Sequence, residues 1–368
     1  MTLEEQIARH SREVQTESYS MSVSELISMY REGELELHPA FQRFFRWTPE
    51  QKSRLIESLL LGIPIPSIFV SERGDAKWDV IDGLQRLSSI LELAGELKDE
   101  NGVLKPPLQL TKTTYLPGLE NLFWSHEDEA KSLPESARIK VKRARLDVNI
   151  VRSTSDEDVK YEVFQRLNGG GSAASPQEIR NCLLVMADKS YYEWLEGLSK
   201  LACFQNTLSL SDKAIEERYD VELACRLLIF IEKSPEELRQ IDELGSYLNK
   251  EAVEQTKKTV ADRDRIASFF DQAFTYLADL LFDSSFKRFD PVKDRYLGPM
   301  TISIYEVVAV GLLHHLCNGG TLPDRDAFCR KHKELWSALS KTAFVGSGVR
   351  ASTRIPETLQ YGRAWIQQ

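Results

Sequence analysis

The sequence lacks the marks of extracellular, membrane-spanning and zinc-dependent chains. It has five cysteines (Cys182, Cys203, Cys225, Cys317 and Cys329), scattered and without a CxxC pair. That usage fits reduced, mostly buried thiols and excludes a disulfide framework or a thiolate metal site. The histidines form no ligand spacing either, since His314 and His315 are adjacent and neighbours on a helix point about 100° apart. No apolar run approaches the roughly 20 residues that a spanning helix needs, and the richest, Val307 to Leu316, is too short. The polar, acidic N-terminal stretch has no apolar leader core, so a cytoplasmic location is expected. A net charge of −9 argues against a protein that coats DNA by bulk attraction, although it leaves room for a local basic site.

What is present begins with the stretch Trp78-Asp79-Val80-Ile81-Asp82-Gly83-Leu84-Gln85-Arg86-Leu87. Val80 and Ile81 favour a pleated, half-buried strand. Asp82-Gly83 breaks it, and Leu84, Leu87, Ile90 and Leu91 then recur at helical spacing. A strand-to-helix turn presents unpaired backbone N–H groups at the positive end of the helix dipole, a setting that suits phosphate. Arg86 falls in the first helical turn, where its planar fork can grip such an anion. The plainer alternative stands beside this one. Asp-Gly is a hairpin-turn signal, Asp82 is a competent N-cap, and Gln85 and Arg86 are ordinary solvated helix residues.

The length of 368 residues suggests two or three domains, each able to bury a core. Residues 1–21 are polar and are expected as an arm or helix. Ser22 or Ser24 caps a helix through Leu26, Ile27 and Tyr30 to Gly33, and Glu34 to Leu37 alternates as a strand. A loop dense in arginine and aromatics follows, from His38 to Trp47. Thr48-Pro49-Glu50 starts a helix whose buried stripe is Leu55, Ile56, Leu59 and Leu60 and which Gly62 ends. Ile63-Pro64-Ile65-Pro66 is a stiff connector to a strand at Ser67–Val70, and Lys77–Ile81 returns as the next strand. Residues 98–137 form an insertion with short elements, strand at Leu108–Leu110 and Tyr115 and helix at Glu127–Leu133. In Arg138 to Val151 the second half then reads as a buried strand, and the basic first half is either a lysine-blunted strand edge or a strip contacting nucleic-acid phosphates. From Asn181 onward the pattern is almost entirely helical.

Four separated segments in this order carry a resemblance. Phe41-Gln42-Arg43-Phe44-Phe45-Arg46-Trp47 is followed by Asp82-Gly83-Leu84-Gln85-Arg86, then Phe164-Gln165-Arg166-Leu167-Asn168, then Glu178-Ile179-Arg180. The order resembles the ParB/sulfiredoxin-like fold and, more closely, the N-terminal domain of GmrSD-type restriction systems. Members carry an Asp-Gly-Gln-Gln-Arg signature after a strand, and here Leu84 replaces its first glutamine. No cysteine lies between Met1 and Arg180, so sulfiredoxin chemistry is not implied. The resemblance implies an α+β chain: a ParB/sulfiredoxin-like domain at 22–180, with the 98–137 insertion, followed by a mostly α-helical domain at 181–368. It also implies that Arg166, Asn168, Glu178 and Arg180 gather near Arg86. No His-Asn-His nuclease pattern follows, which suggests a partner nuclease subunit.

Three functions follow as expectations. The first is a nucleotide-binding, NTP-hydrolysing module of a restriction or antiphage system. It would place Gln42, Arg43, Arg46, Arg86, Arg166, Asn168, Arg180 and the N–H groups near Gly83 on phosphates. Asp82 would hold Mg2+, Gln85 would orient the attacking water, and Phe45 or Trp47 would stack on a base. The second is a non-catalytic DNA-binding or modification-sensing module, with Lys140, Lys142, Arg143 and Arg145 as its contact strip. The third is a metal-dependent nuclease built on Asp82 with Glu57 or Asp79.

Overall fold

The computed structural model describes residues 2–4, 16–37, 47–99, 102–152, 176–344, 346 and 348–367. The chain divides into two compact units, Met1–Ala174 and Ser175–Gln368. The first carries a mixed sheet and the second is mostly helical, so the expected α+β class is the one the chain adopts.

In the first unit five strands form one sheet: β1 (Thr16–Ser22), β2 (Leu35–Glu36), β3 (Ile68–Glu72), β4 (Trp78–Asp82) and β5 (Arg145–Val151). Their order is β1-β5-β3-β4-β2. The pairs β1·β5 and β3·β4 are antiparallel, whereas β5·β3 and β4·β2 are parallel. Ile68, Val70, Val80, Ile81, Val148 and Ile150 are buried from these strands. Between the pairs Phe69↔Asp82 and Val70↔Val80, Ile81 is an extra residue on β4. This bulge bends the strand end where Asp82 enters the glycine turn.

Among the described residues four helices accompany the sheet: α1 (Val23–Glu32), α2 (Pro49–Leu61), α3 (Leu84–Ala94) and α4 (Glu135–Arg143). The Ser22 hydroxyl caps α1 through the Glu25 N–H. Thr48 and Gln51 form a capping box on α2, with Pro49 in its first turn and Gly62 left-handed beyond its end. Leu55, Ile56, Leu59 and Leu60 are buried as the apolar spacing required.

Two expectations fail here. Residues 16–22 are a strand, not an arm or helix. Their side chains are mostly exposed, and β1 is held by its backbone ladder to β5, which leaves little trace in the apolar pattern. The basic run is not the start of a strand either. Glu135–Arg143 is the helix α4, and β5 begins only at Arg145. The sequence matches the helix dipole, with Glu135 in the first turn and Lys140, Lys142 and Arg143 in the last.

The insertion has no strand at 108–110; its regular structure is two single turns, Pro117–Leu119 and Glu129–Lys131. It docks through buried Leu108, Leu110, Leu119 and Leu133. The Glu57 carboxylate on α2 buckles it down, accepting from Thr113 Oγ1 (2.5 Å) and the N–H groups of Tyr115 (2.8 Å) and Leu116 (2.9 Å). The Thr113 hydrogen bond, ahead of the two backbone donors, holds this carboxyl below its ordinary pKa despite burial.

The second unit contains α5 (Pro176–Ala187), α6 (Lys189–Ser199), α7 (Ala202–Thr207), α8 (Asp212–Glu216), α9 (Tyr219–Phe230), α10 (Pro235–Leu238), α11 (Leu244–Gln255) and α12 (Val260–Leu281). It continues with α13 (Ile302–Tyr305), α14 (Gly311–Cys317), α15 (Arg325–Leu339) and α16 (Ala351–Gln367). A small hairpin, β6 (Arg288–Asp290) with β7 (Arg295–Leu297), interrupts the helices that the sequence led us to expect. A π-turn over Glu306–Val310 joins α13 to α14. There α16 crosses so closely that a Cβ on Gly362 would stand 2.5 Å from the Val307 carbonyl oxygen. No helix among the described residues is long and apolar enough to cross a membrane.

Candidate functional site

The strand, glycine turn and helix that organise the sequence form as expected: β4 ends at Asp82, Gly83 turns, and α3 starts at Leu84. Gly83 takes φ +93°, and a Cβ there would stand 2.8 Å from Ile68 Cγ1 on β3. Both the left-handed backbone and the close strand therefore demand glycine. The N-cap of α3 is Gly83, which has no side chain to offer the first N–H groups. Leu84, the residue that departs from the signature, is buried, with 7% of its surface exposed.

Arg86 is held from two sides. Its Nη1 donates to the carbonyl oxygens of Ser67 (3.0 Å) and Pro66, and its Nη2 donates to Asp82 Oδ2 at 2.7 Å. The guanidinium thus ties the end of the proline connector to the turn. Three of its five N–H donors are engaged; Nε and one Nη2 hydrogen have no partner among the described residues. The Asp82 side chain is 32% exposed, and its Oδ1 takes no hydrogen bond among the described residues. One open carboxylate oxygen fits a Mg2+ ion that keeps most of its waters and completes its shell with phosphate oxygens. It does not fit an all-protein cage, and among the described residues no three acids, histidines or cysteines converge on one point.

Gln85 Oε1 accepts the backbone N–H of Trp47 at 3.1 Å. Trp47 closes the arginine-aromatic segment, so this bond fastens that segment's end to the signature turn. Gln42, Arg43, Phe45 and Arg46 lie outside the described residues, as do Arg166 and Asn168. The Glu178 side chain is also outside them. Arg180 is described, on α5 of the helical unit, with its side chain 1% exposed. It donates to Gln177 and lies 3.7 Å from Glu222 Oε2, and burial drives its pKa down. Its charge is therefore engaged within the interior of that unit.

The two acids weighed for a nuclease occupy other roles. Glu57 holds the insertion, and buried Asp79 lies 3.6 Å from Arg73 Nε.

The basic quartet is split by α4. Lys142 stands over the Trp124 ring at 5.9 Å. Lys140, Arg143 and Arg145 line an open groove of about 640 Å3 beside Gly62, Ile63, Pro64 and Ile65. Its other lining residues are neutral: Ser58, Leu59, Leu61, Ser136, Ile139 and Ala144. The sequence reading missed Ile63, Pro64 and Ile139 as the wall of this groove. The signal was present in Ile139, an apolar residue inside a basic run, which the helix turns outward at 40% exposure while it buries Val141.

No curated protein matches the chain. A family model described as the N-terminal domain of the GmrSD restriction endonuclease matches residues 23–185, covering strands β2 to β5, the glycine turn, the groove and most of the first helix of the second unit. The resemblance drawn from the four motif segments is thereby borne out. Residues 23–185, somewhat less than half of the chain, are thus similar to the N-terminal domain family of GmrSD restriction endonucleases.

Proposed function

We propose that the N-terminal unit binds a nucleoside triphosphate at the glycine turn and hydrolyses it, as the nucleotide-dependent module of a restriction or antiphage system. The observation that carries this reading is the Gln85–Trp47 hydrogen bond, which joins the signature turn to the segment bearing Gln42, Arg43 and Arg46. Phosphoryl transfer asks mainly for positioned charge and backbone donors. The turn supplies backbone N–H groups at the start of α3 and, with no partner among the described residues, two Arg86 donors and one Asp82 oxygen. In this reading Arg86 and the N–H groups hold phosphate oxygens, with Arg43 approaching from the neighbouring segment. Asp82 holds Mg2+, which neutralises charge on the phosphates. Gln85 orients the attacking water, and Trp47 or Phe45 stacks on the base. Leu84 is buried, so its departure from the signature leaves Gln85 as the only signature amide for that role.

Calorimetry with ATP, GTP, CTP and UTP, with and without Mg2+, tests the binding, and phosphate release tests the hydrolysis. Asp82→Asn keeps an acceptor for Arg86, so we expect it to fold and lose the Mg2+ dependence. Gln85→Ala should bind but release phosphate at least about a hundredfold more slowly, the lower range for one catalytic group. Absence of binding by every nucleotide, or wild-type behaviour of both variants, contradicts the reading.

A further inference from the structure

The groove between the proline connector and α4 shows a charge imbalance that the glycine turn does not explain. Lys140, Arg143 and Arg145 line it, and no acid does. None of the three forms an ion pair with a described residue. Elsewhere on the surface cations are commonly matched, as in Lys52–Glu92, Lys233–Glu251 and Lys287–Asp283. In a chain with 56 acids and 47 lysines and arginines, a stretch of three unmatched cations runs against the overall balance. Complementing the α4 dipole accounts for charge in the last helical turn. It does not account for Arg145, which lies beyond the helix on β5, nor for the lack of any acid opposite.

The opposite wall is apolar and fixed. Ile63 is 43% exposed and Leu61 44%, while Ile139, at 40%, adds apolar surface on α4 beside the cations. The backbone of Gly62–Ile65 is anchored at one end by the α2 cap, where the Ile63 N–H bonds the Ser58 carbonyl, and at the other by Arg86 on the carbonyls of Pro66 and Ser67. A channel with a line of cations on one side and a stiff aliphatic ridge on the other matches a polymer with a phosphate edge and a less polar sugar-and-base face.

From this we infer that the groove is a nucleic-acid path, in which Lys140, Arg143 and Arg145 hold phosphates of a DNA strand and the Leu61–Ile63 ridge packs against its sugar and base face. Contacts of this kind position a strand without reading its sequence. The site is distinct from the glycine turn, and the inference stands whether or not a nucleotide binds there.

The test is fluorescence anisotropy of the full chain with a labelled 20-nucleotide DNA, single-stranded and duplex, over a series of NaCl concentrations. Wild type should bind, and its affinity should fall steeply with salt. Replacing all three cations (Lys140→Gln, Arg143→Gln, Arg145→Gln) should cut affinity at low salt at least tenfold. The same change should flatten the log K against log[salt] slope by about 2.7 for duplex, at about 0.9 per phosphate contact. Ile63→Ser changes no charge and should weaken binding in the same direction. Lys213→Gln, an exposed cation of the helical unit, should leave binding as it was. Melting temperatures of all variants should match wild type, which separates lost binding from lost folding. The inference is overturned if wild type does not bind at low salt, or if the triple variant keeps wild-type affinity and slope. It is also overturned if poly-glutamate displaces the DNA as well as unlabelled DNA of equal charge does, which would make the groove a seat for an acidic protein.

Discussion

The glycine turn and the α4 groove are both arginine-bearing and both exposed in part, yet they treat charge in opposite ways. At the turn, Arg86 is met by Asp82 and two backbone carbonyls, and Gln85 by the Trp47 N–H. At the groove, Lys140, Arg143 and Arg145 meet no described acid. Charges satisfied within the protein fix geometry, and removing one strands its partner. Charges left open cost little to remove and are available to something outside. One connector joins the two, since Ile63–Ile65 walls the groove and Pro66 and Ser67 are held by Arg86.

Substitutions on the satisfied side should therefore lower stability, and those on the open side should not. The largest effect is expected at Gly83→Ala. It combines the left-handed penalty of about 1–2 kcal/mol with crowding of about 1–3 kcal/mol against Ile68. Urea unfolding should show about 3 kcal/mol lost, and a change below about 1 kcal/mol would show that the turn is not rigid.

Glu57→Ala comes next, at about 2–3 kcal/mol, because it leaves the Thr113 hydroxyl and two N–H groups without their acceptor. This group also predicts a pH dependence. Its folded pKa lies below the ordinary 4.5, so the unfolded chain takes up the proton first as pH falls. The stability that Glu57 contributes is complete above pH 4.5 and declines as pH drops from there through the folded value. The acid limb of a stability-against-pH curve should be shallower in Glu57→Gln, and identical limbs would contradict the assignment.

Arg86→Lys should cost about 1–2 kcal/mol, since an ammonium cannot span two carbonyls and a carboxylate as the planar fork does. Arg143→Lys is the matched control on the open side. It should change stability by less than about 0.5 kcal/mol and keep DNA affinity, because a phosphate held as a point charge accepts either cation. If the two arginines respond alike, the contrast between the regions fails.

Much of this was legible before any coordinates. The Thr48-Pro49-Glu50 start, the Gly62 stop and the turn at Gly83 are local chemistry, in which caps and φ requirements act over four or five residues. The motif order carried the family. Three features were hidden for physical reasons. β1 is polar and held by backbone pairing, so its 131-residue separation from the Asn149 partner leaves no periodic signal in its side chains. The basic run was assigned to a strand because its cations masked the helix. Pro134, Glu135 and the three late cations formed a start and stop pattern that dipole reasoning, rather than hydrophobic spacing, would have found. The hold of Arg86 on Pro66 and Ser67 uses main-chain oxygens, which no side-chain pattern announces. For the same reason the division of labour between Arg86 and Arg143 was invisible: the letters are identical and only the neighbours differ.

The central claim is that the anion site of this unit is the glycine turn. The most direct measurement is the shift in melting temperature on adding a nucleoside triphosphate with Mg2+ to wild type, Arg86→Lys and the triple groove variant. A ligand that binds only the folded state stabilises it by RT ln(1 + [L]/Kd) and so raises the melting temperature. The account predicts equal rises for wild type and the triple groove variant and none for Arg86→Lys. Equal rises in all three proteins, or a rise lost only in the groove variant, would contradict it.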